Sequence, residues 1–330
     1  MNHKNAIIET NKITKKFGSF TAVDTISLSI QKGEIFGFLG PNGAGKTTTI
    51  KMLTTLLHPT KGSATINSYD IIRNRDNVRK SIGVVFQEPA LDLELTGREN
   101  LDYHARMYGI NRTTRKKRID EVLDLVDLQD KKDEFVKKYS GGMKRRLEIA
   151  RGLMHSPDVL FLDEPTLGLD AQTRRAIWEY IKKMNKEKHT TIFLTTHYMD
   201  EADYLCDRIS IIDHGKILVT DTTSKLKTMV GNDLITISTS NDQDFSAHLK
   251  DVSWIKNVDT YEGYLTLGVE RGEEKIPVVI ELAQEYNIQV KSISVHKPTL
   301  DDVFLYYTGH RIRDEVSNSN IPKQHMHPRR

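Results

Sequence analysis

The sequence predicts an α/β fold on a largely parallel sheet, with an inserted helical subdomain and a C-terminal ferredoxin-like α+β domain. Three observations carry that expectation. Up to Val219, short apolar, β-branched runs alternate with helical stretches, as where crossover helices join parallel strands. Between Arg98 and Ser140 the strand signal is lost and helical spacing replaces it. Beyond Asp221 the segments read strand, helix, strand, strand, helix, strand, the order of the split βαβ arrangement.

Taken in order, Ala22 to Ile30 alternates apolar and polar residues, which suits an antiparallel strand with one solvated face. Ile35 to Leu39 is an uninterrupted apolar run, hence a buried strand, followed by a Gly-rich loop and a helix from about Gly45 to Leu57. Ile82 to Phe86, Val159 to Leu162 and Thr191 to Thr195 supply further buried strands. Leu101 to Tyr108 and Ile119 to Leu128 have helical spacing with charged outer faces, and Arg112 to Arg118 is a basic run that suits a solvated helix face or a docking surface. Asp221 to Ser224 is polar and turn-rich, and Gly231-Asn232 reads as a linker or helix end. The second domain then runs through strands at Leu234–Thr239, Ile255–Thr260, Tyr264–Val269 and Ile288–Val295. Its helices fall at Phe245–Asp251, Ile276–Glu285 and Leu300–Thr308. These segments predict a first domain over about 1–225, its helical insertion over about 97–155, a C-terminal domain over 232–309 and a disordered tail over 310–330. His325 and His327 in that tail read as incidental.

With 330 residues, 38% hydrophobic and 28% charged, the chain has the profile of a two-domain globular protein. No stretch approaches the ~18–20 apolar residues of a membrane span, so any membrane role goes through a partner. Met1 to Glu9 lacks the layout of a signal peptide. A net charge of +3 gives no nucleic-acid footprint. The single cysteine, Cys206, fits a buried small hydrophobe in a reducing, cytoplasmic setting.

Gly40-Pro41-Asn42-Gly43-Ala44-Gly45-Lys46-Thr47 fits G-x-x-x-x-G-K-[ST] in its required strand–loop–helix context. Such a loop turns its N–H groups onto phosphates, the helix from about Gly45, with Thr48 in its first turn, adds its dipole, and Lys46 adds a charge on the β/γ-phosphates. Thr47 offers a hydroxyl to Mg²⁺. The substrate implied is therefore ATP. Val159 to Glu164 is an apolar strand ending in two carboxylates. Asp163 is the candidate Mg²⁺ contact and Glu164 the candidate general base for the attacking water.

Tyr139-Ser140-Gly141-Gly142-Met143-Lys144 narrows the class. Here the sequence resembles the ABC ATPase family, whose signature is similar to L-S-G-G-Q. The departures are Tyr139 for Leu and Met143 for Gln, and Met143 cannot make the polar contact of a glutamine amide. The resemblance, which covers Ala6 to about Thr220, implies a P-loop NTPase fold. It also implies that Ser140, Gly141 and Gly142 form a second anion site facing the γ-phosphate held by an opposite subunit. It further implies that Phe17 stacks on adenine, that Gln87 contacts metal and water, and that Asp170 lies in the loop crossing the dimer interface. His197 matches the histidine that contacts the γ-phosphate.

A narrower resemblance rests on Leu95 to Leu101, Met143 to Arg146 and Lys297 to Phe304, which look like the daunorubicin-resistance type of ABC exporter ATPase. It implies an ATPase that pairs with a second ATP-binding subunit, as a homodimer, and powers a separate transmembrane permease from the cytoplasmic face of the membrane. Two alternatives stay open: a soluble ABC ATPase acting on ribosomes or DNA, and an importer ATPase. Against the first, the chain lacks an internal repeat and any heptad insertion between Gln87 and Ser140. Against the second stand Arg145-Arg146 and Pro298 to Phe304.

Overall fold

In the computed structural model, which describes residues 6–261 and 263–309, the chain divides into two units, one ending at Thr220 and the other beginning at Asp221. The expected tail over 310–330, with His325 and His327, lies outside the described residues.

The first unit holds two sheets. Strands β1 (Ala6–Phe17) and β2 (Phe20–Gln31) pair antiparallel, and β4 (Lys61–Ile66) and β5 (Tyr69–Asp70) extend them in the order β2-β1-β4-β5. The alternating segment Ala22 to Ile30 is the middle of β2 and buries one face, as its period of two requires. β1 is less legible because register shifts between Thr10 and Ile13 and again near Lys15 break the alternation that would announce it.

The second sheet has six strands in the order β10-β9-β3-β8-β7-β6. These are β3 (Ile35–Leu39), β6 (Ile82–Val85), β7 (Val159–Asp163), β8 (Thr191–Thr196), β9 (Arg208–Asp213) and β10 (Lys216–Thr222). β3, β7 and β8 are parallel and buried along their whole length, so they read as continuous apolar runs. Phe36, Phe38 and Phe161 all pack against Phe193, with ring centroids 5.8, 5.6 and 5.4 Å away. Cys206 is buried beside Gly37, where a Cβ would meet its Sγ at 2.7 Å, and burial pushes the thiol's pKa up.

Because parallel strands all end on one side, β3, β7 and β8 deliver the phosphate loop, Asp163-Glu164 and His197 to a common edge. Helix α1 (Lys46–Leu53) follows β3, and α2 (Arg75–Ser81) precedes β6. The helical segment comprises α3 (Gly97–Met107), α4 (Arg112–Leu125) and α5 (Gly141–Gly152), with α6 (Ala171–Lys188) and α7 (Met199–Leu205) flanking β8. A reciprocal capping box of Thr96 and Glu99 starts α3, a local reason for two residues of the Leu95–Leu101 motif. Among the described residues no helix is long and apolar enough to cross a membrane.

The second unit opens with α8 (Thr223–Val230), ended by Gly231 at φ 152°, so the polar stretch Asp221 to Ser224 begins a helix. Four antiparallel strands follow in the spatial order β12-β13-β11-β14, from β11 (Asp233–Thr239), β12 (Ile255–Tyr261), β13 (Tyr264–Val269) and β14 (Val290–His296). Helices α9 (Asp242–Leu249) and α10 (Gly272–Glu285) bury Phe245, Leu249, Val279 and Ala283 against Ile235, Ile237, Leu265 and Leu267. That is the ferredoxin-like arrangement expected from the βαββαβ order. Helix α10 starts before the predicted Ile276 because Asp233 on β11 accepts a 2.9 Å hydrogen bond from the Gly272 N–H. The closing helix α11 (Leu300–Thr308) is started by a capping box of Thr299 and Asp302, both within the Lys297–Phe304 motif.

Candidate nucleotide site

The loop between β3 and α1 is shaped by glycine. Gly45 has φ 104°, a conformation L side chains avoid, and a Cβ there would lie 2.5 Å from the Ala22 carbonyl oxygen. Gly40 is just as constrained, since a Cβ would stand 2.3 Å from the Ile212 carbonyl oxygen. Gly45 occupies the N-cap of α1 without a capping side chain, which leaves the first-turn N–H groups of Lys46, Thr47 and Thr48 for an anion. Asn42 and Gly43 are exposed at the tip, whereas Pro41 and Ala44 are buried beneath it.

Lys46 is only 5% exposed and folds back across this loop. Its Nζ donates to the carbonyls of Gly40 at 2.8 Å and Pro41 at 3.0 Å, and lies 3.3 Å from Glu164 Oε1. Thr47 Oγ1 donates to Asp163 Oδ1 at 3.3 Å, and Thr195 Oγ1 donates to the same oxygen at 2.5 Å. A hydroxyl beside a buried carboxylate is a hard-oxygen pair that suits Mg²⁺, an ion that usually takes one or two protein oxygens plus phosphates and water. Among the described residues, no group of three or more His, Cys, Asp or Glu side chains could hold a metal.

Glu164 follows β7 with φ 49°, in the left-handed region, and its N–H donates to Thr195 O at 3.1 Å. Its Oε1 lies 3.3 Å from His197 Nδ1 in a close polar approach without hydrogen-bond alignment. Burial pushes the Glu164 carboxyl up, but His197 and Lys46 beside it outweigh burial and hold it below the usual value. Lys46, Thr47, Asp163, Glu164 and His197 thus converge.

The other predicted residues stand on separate elements. Phe17 ends β1 with its ring 49% exposed and Lys15 Nζ 5.2 Å from the centroid. Gln87 is exposed just past β6, beside the end of β7 by strand register. Ser140 caps α5, accepting from the Met143 N–H at 3.2 Å, and Ser140 and Gly141 are exposed at that helix start. Gly142 is buried where a Cβ would meet Thr173 Cγ2 at 2.5 Å, so α5 and α6 begin in contact. Asp170 caps α6 through Thr173, whose N–H and hydroxyl hydrogen bonds hold the carboxyl below its usual value. Tyr139, the departure from Leu, is buried and donates to Lys131 O at 2.6 Å. Its Oη would lie 2.4 Å from a Cβ on Gly97, so Tyr139 requires that glycine.

Sequence reasoning missed the supports. Glu201 on α7 is fully buried and accepts from Thr166 Oγ1 at 2.7 Å and Trp178 Nε1 at 2.9 Å, with burial pushing its pKa up. It ties the loop after Glu164 to the helix after His197. Thr195 and Glu148 give no signal, because an ordinary Thr or charged helix residue announces no tertiary partner, and Arg145 stands out in sequence only as part of the Met143 to Arg146 motif.

Residues 23–167 match the family model described as ABC transporter, and residues 222–308 match the C-terminal domain of DrrA1-3-like ATP-binding proteins. The chain is similar to the linearmycin resistance ATP-binding protein LnrL of Bacillus subtilis, 38% identical across 93% of this chain and all of that protein. It is also 38% identical to the daunorubicin/doxorubicin resistance ATP-binding protein DrrA of Streptomyces peucetius, across 93% of this chain and 94% of the relative. Among solved structures, cbiO1 from Clostridium perfringens, part of the ABC transporter complex cbiONQ, matches with TM-score 0.64 and 28% identity. That match covers 68% of this chain and 91% of the other. The dimeric post-hydrolysis state of the cassette MJ0796, bound to ADP and Pi, matches with TM-score 0.58 and 29% identity, covering 65% of this chain and 98% of the other.

Proposed function

Because this chain belongs to the ATP-binding subunits of ABC transporters, we propose that the Lys46–Glu164–His197 cluster is its ATP hydrolysis site and that it powers export of antibiotic-like compounds. The subunit is an ATPase whose activity serves transport through a separate transmembrane partner. The observation that carries the site assignment is one carboxylate, Glu164 Oε1, lying 3.3 Å from both Lys46 Nζ and His197 Nδ1 at the phosphate loop.

In this reading the loop N–H groups and Lys46 hold the ATP phosphates while Phe17 stacks on the adenine. Glu164 takes the proton from the attacking water and His197 orients the γ-phosphate end. Thr47, Asp163 and, from its exposed loop, Gln87 would hold Mg²⁺, which when bound would supply positive charge against the phosphates. Ser140, Gly141 and Gly142 face the γ-phosphate of an identical second subunit, and Asp170 lies in the loop at that interface. ATP then closes the pair because its γ-phosphate touches both subunits, a differential contact that ADP lacks. The assembly works on the cytoplasmic face of the membrane. The antibiotic-like cargo follows from the names of the relatives LnrL and DrrA.

Glu164→Gln keeps size and hydrogen bonding but cannot accept the proton. Turnover should fall ~10²–10⁴-fold while ATP still binds, so the variant accumulates as an ATP-dependent dimer in size exclusion. Near wild-type hydrolysis by Glu164→Gln would falsify the base assignment.

A further inference from the structure

Helix α5 carries a buried guanidinium that the ATP reaction as described does not use. Arg145 sits on the inward face of the signature helix, five residues past Ser140. Its Nε donates to Pro165 O at 2.7 Å. Its Nη2 donates to Asp163 O at 3.1 Å and Glu164 O at 3.2 Å, and its Nη1 to Phe86 O at 2.7 Å and Glu148 Oε2 at 2.9 Å. A guanidinium has five N–H donors in a rigid fork, and all five are used here. Four go to backbone carbonyls in the segments on either side of the strand ends that present Gln87 and Glu164.

Glu148 completes the device. It is buried one turn along α5, and its other oxygen accepts from the Ala90 N–H at 2.9 Å, so the loop bearing Gln87 is tied to α5 at both ends. Glu164 itself has a backbone at φ 49°, which a non-glycine residue adopts only when its surroundings hold it there. Its N–H is fixed by Thr195 and its carbonyl by Arg145.

We propose that Arg145 is the positioning residue for Glu164, fixing the base of one ATP site to the signature helix that faces the other. This rests on the reading of Glu164 as the general base. The physical reason is geometric rather than electrostatic. The acceptors are four carbonyls in three directions, which a planar fork can span and a single ammonium cannot. A shift at the exposed end of α5, where Ser140 and Gly141 lie, is therefore carried to the Glu164 backbone through one side chain.

The test is a double-mutant cycle on the full-length chain. Arg145→Lys keeps the charge and loses the fork, so ATP turnover should fall about 10- to 100-fold, as for a misplaced reacting group, while KM for ATP stays within about twofold. Wild-type kcat in a folded Arg145→Lys protein overturns the proposal. Should that variant fail to fold, Arg145→Gln with Glu148→Gln removes the buried charge pair as a unit, avoids an unpaired carboxylate, and is read by the same two outcomes. Combined with Glu164→Gln, the Arg145 change should add no further loss, since the group it positions is already inactive. A multiplicative loss in the combination shows action independent of Glu164 and also overturns it. Failure of the base reading is separate: it appears as wild-type turnover in Glu164→Gln alone, whatever Arg145 does.

Discussion

Lys46 Nζ and Glu164 Oε1 lie 3.3 Å apart, so the cation of the phosphate loop and the proposed base are direct partners. In the proposed site, nucleotide phosphates would compete with Glu164 and with the carbonyls of Gly40 and Pro41 for the same ammonium. Lys46 is one of the groups that hold the Glu164 carboxyl below its usual value against burial.

Lys46→Ala removes the charge proposed to meet the phosphates. A charge-assisted hydrogen bond is worth about 1.5–3 kcal/mol, so ATP affinity should drop roughly ten- to a hundredfold along with hydrolysis. Fluorescent-nucleotide titration reads this, and wild-type affinity would remove Lys46 from the site. The variant should also fail to form the ATP-dependent dimer.

His197→Ala tests the electrostatics. His197 and Lys46 depress the Glu164 pKa against burial, so losing His197 raises it. The kcat/KM profile reports the free enzyme, and its acid limb should move to higher pH. The sign for stability follows the same shift. A carboxyl depressed on folding stabilises above its unfolded pKa, and that contribution is lost as pH falls through the folded value. In His197→Ala the contribution shrinks, so the wild-type advantage in denaturant midpoint should be full above the carboxyl's unfolded pKa and narrow as pH falls through the folded value. An acid limb unmoved by the substitution counts against the His197–Glu164 coupling.

Gly45→Ala forces a Cβ into φ 104° and to within 2.5 Å of the Ala22 carbonyl oxygen. Strain of this kind costs about 1–3 kcal/mol. Denaturant midpoints should fall accordingly, and ATP should restore less stability than it does to wild type. Equal stabilisation of both proteins by ATP would mean the loop geometry does not govern phosphate binding.

Phe17→Ala removes an exposed ring at the end of β1. Base–aromatic stacking is worth about 1–3 kcal/mol, so ATP affinity should weaken roughly 5- to 150-fold while the thermal midpoint barely moves. If ATP and inorganic triphosphate lose affinity equally, Phe17 is not the adenine platform.

The sequence by itself determined the buried parallel strands, the phosphate loop with its lysine, and the βαββαβ order of the second unit. Each rests on a local rule. Continuous apolar runs mark β3, β7 and β8, glycine spacing marks residues 40–45, and Asp163-Glu164 follows directly from an apolar strand. Strands such as β1, with its broken register, carry too weak a period to be read. What only the tertiary structure decided is which side chains meet. Lys46, Glu164 and His197 are far apart in the chain, and parallel strands ending on one edge bring them together. Arg145 reads in sequence as part of the Met143 to Arg146 motif, with nothing to say what it touches. Its meaning comes from five acceptors on two other stretches of chain and on its own helix, assembled only when α5 packs against the ends of β6 and β7. Local patterns encode backbone conformation, because that depends on neighbours in the chain. Partners of a buried polar group depend on the packing of distant segments, which no window of sequence contains.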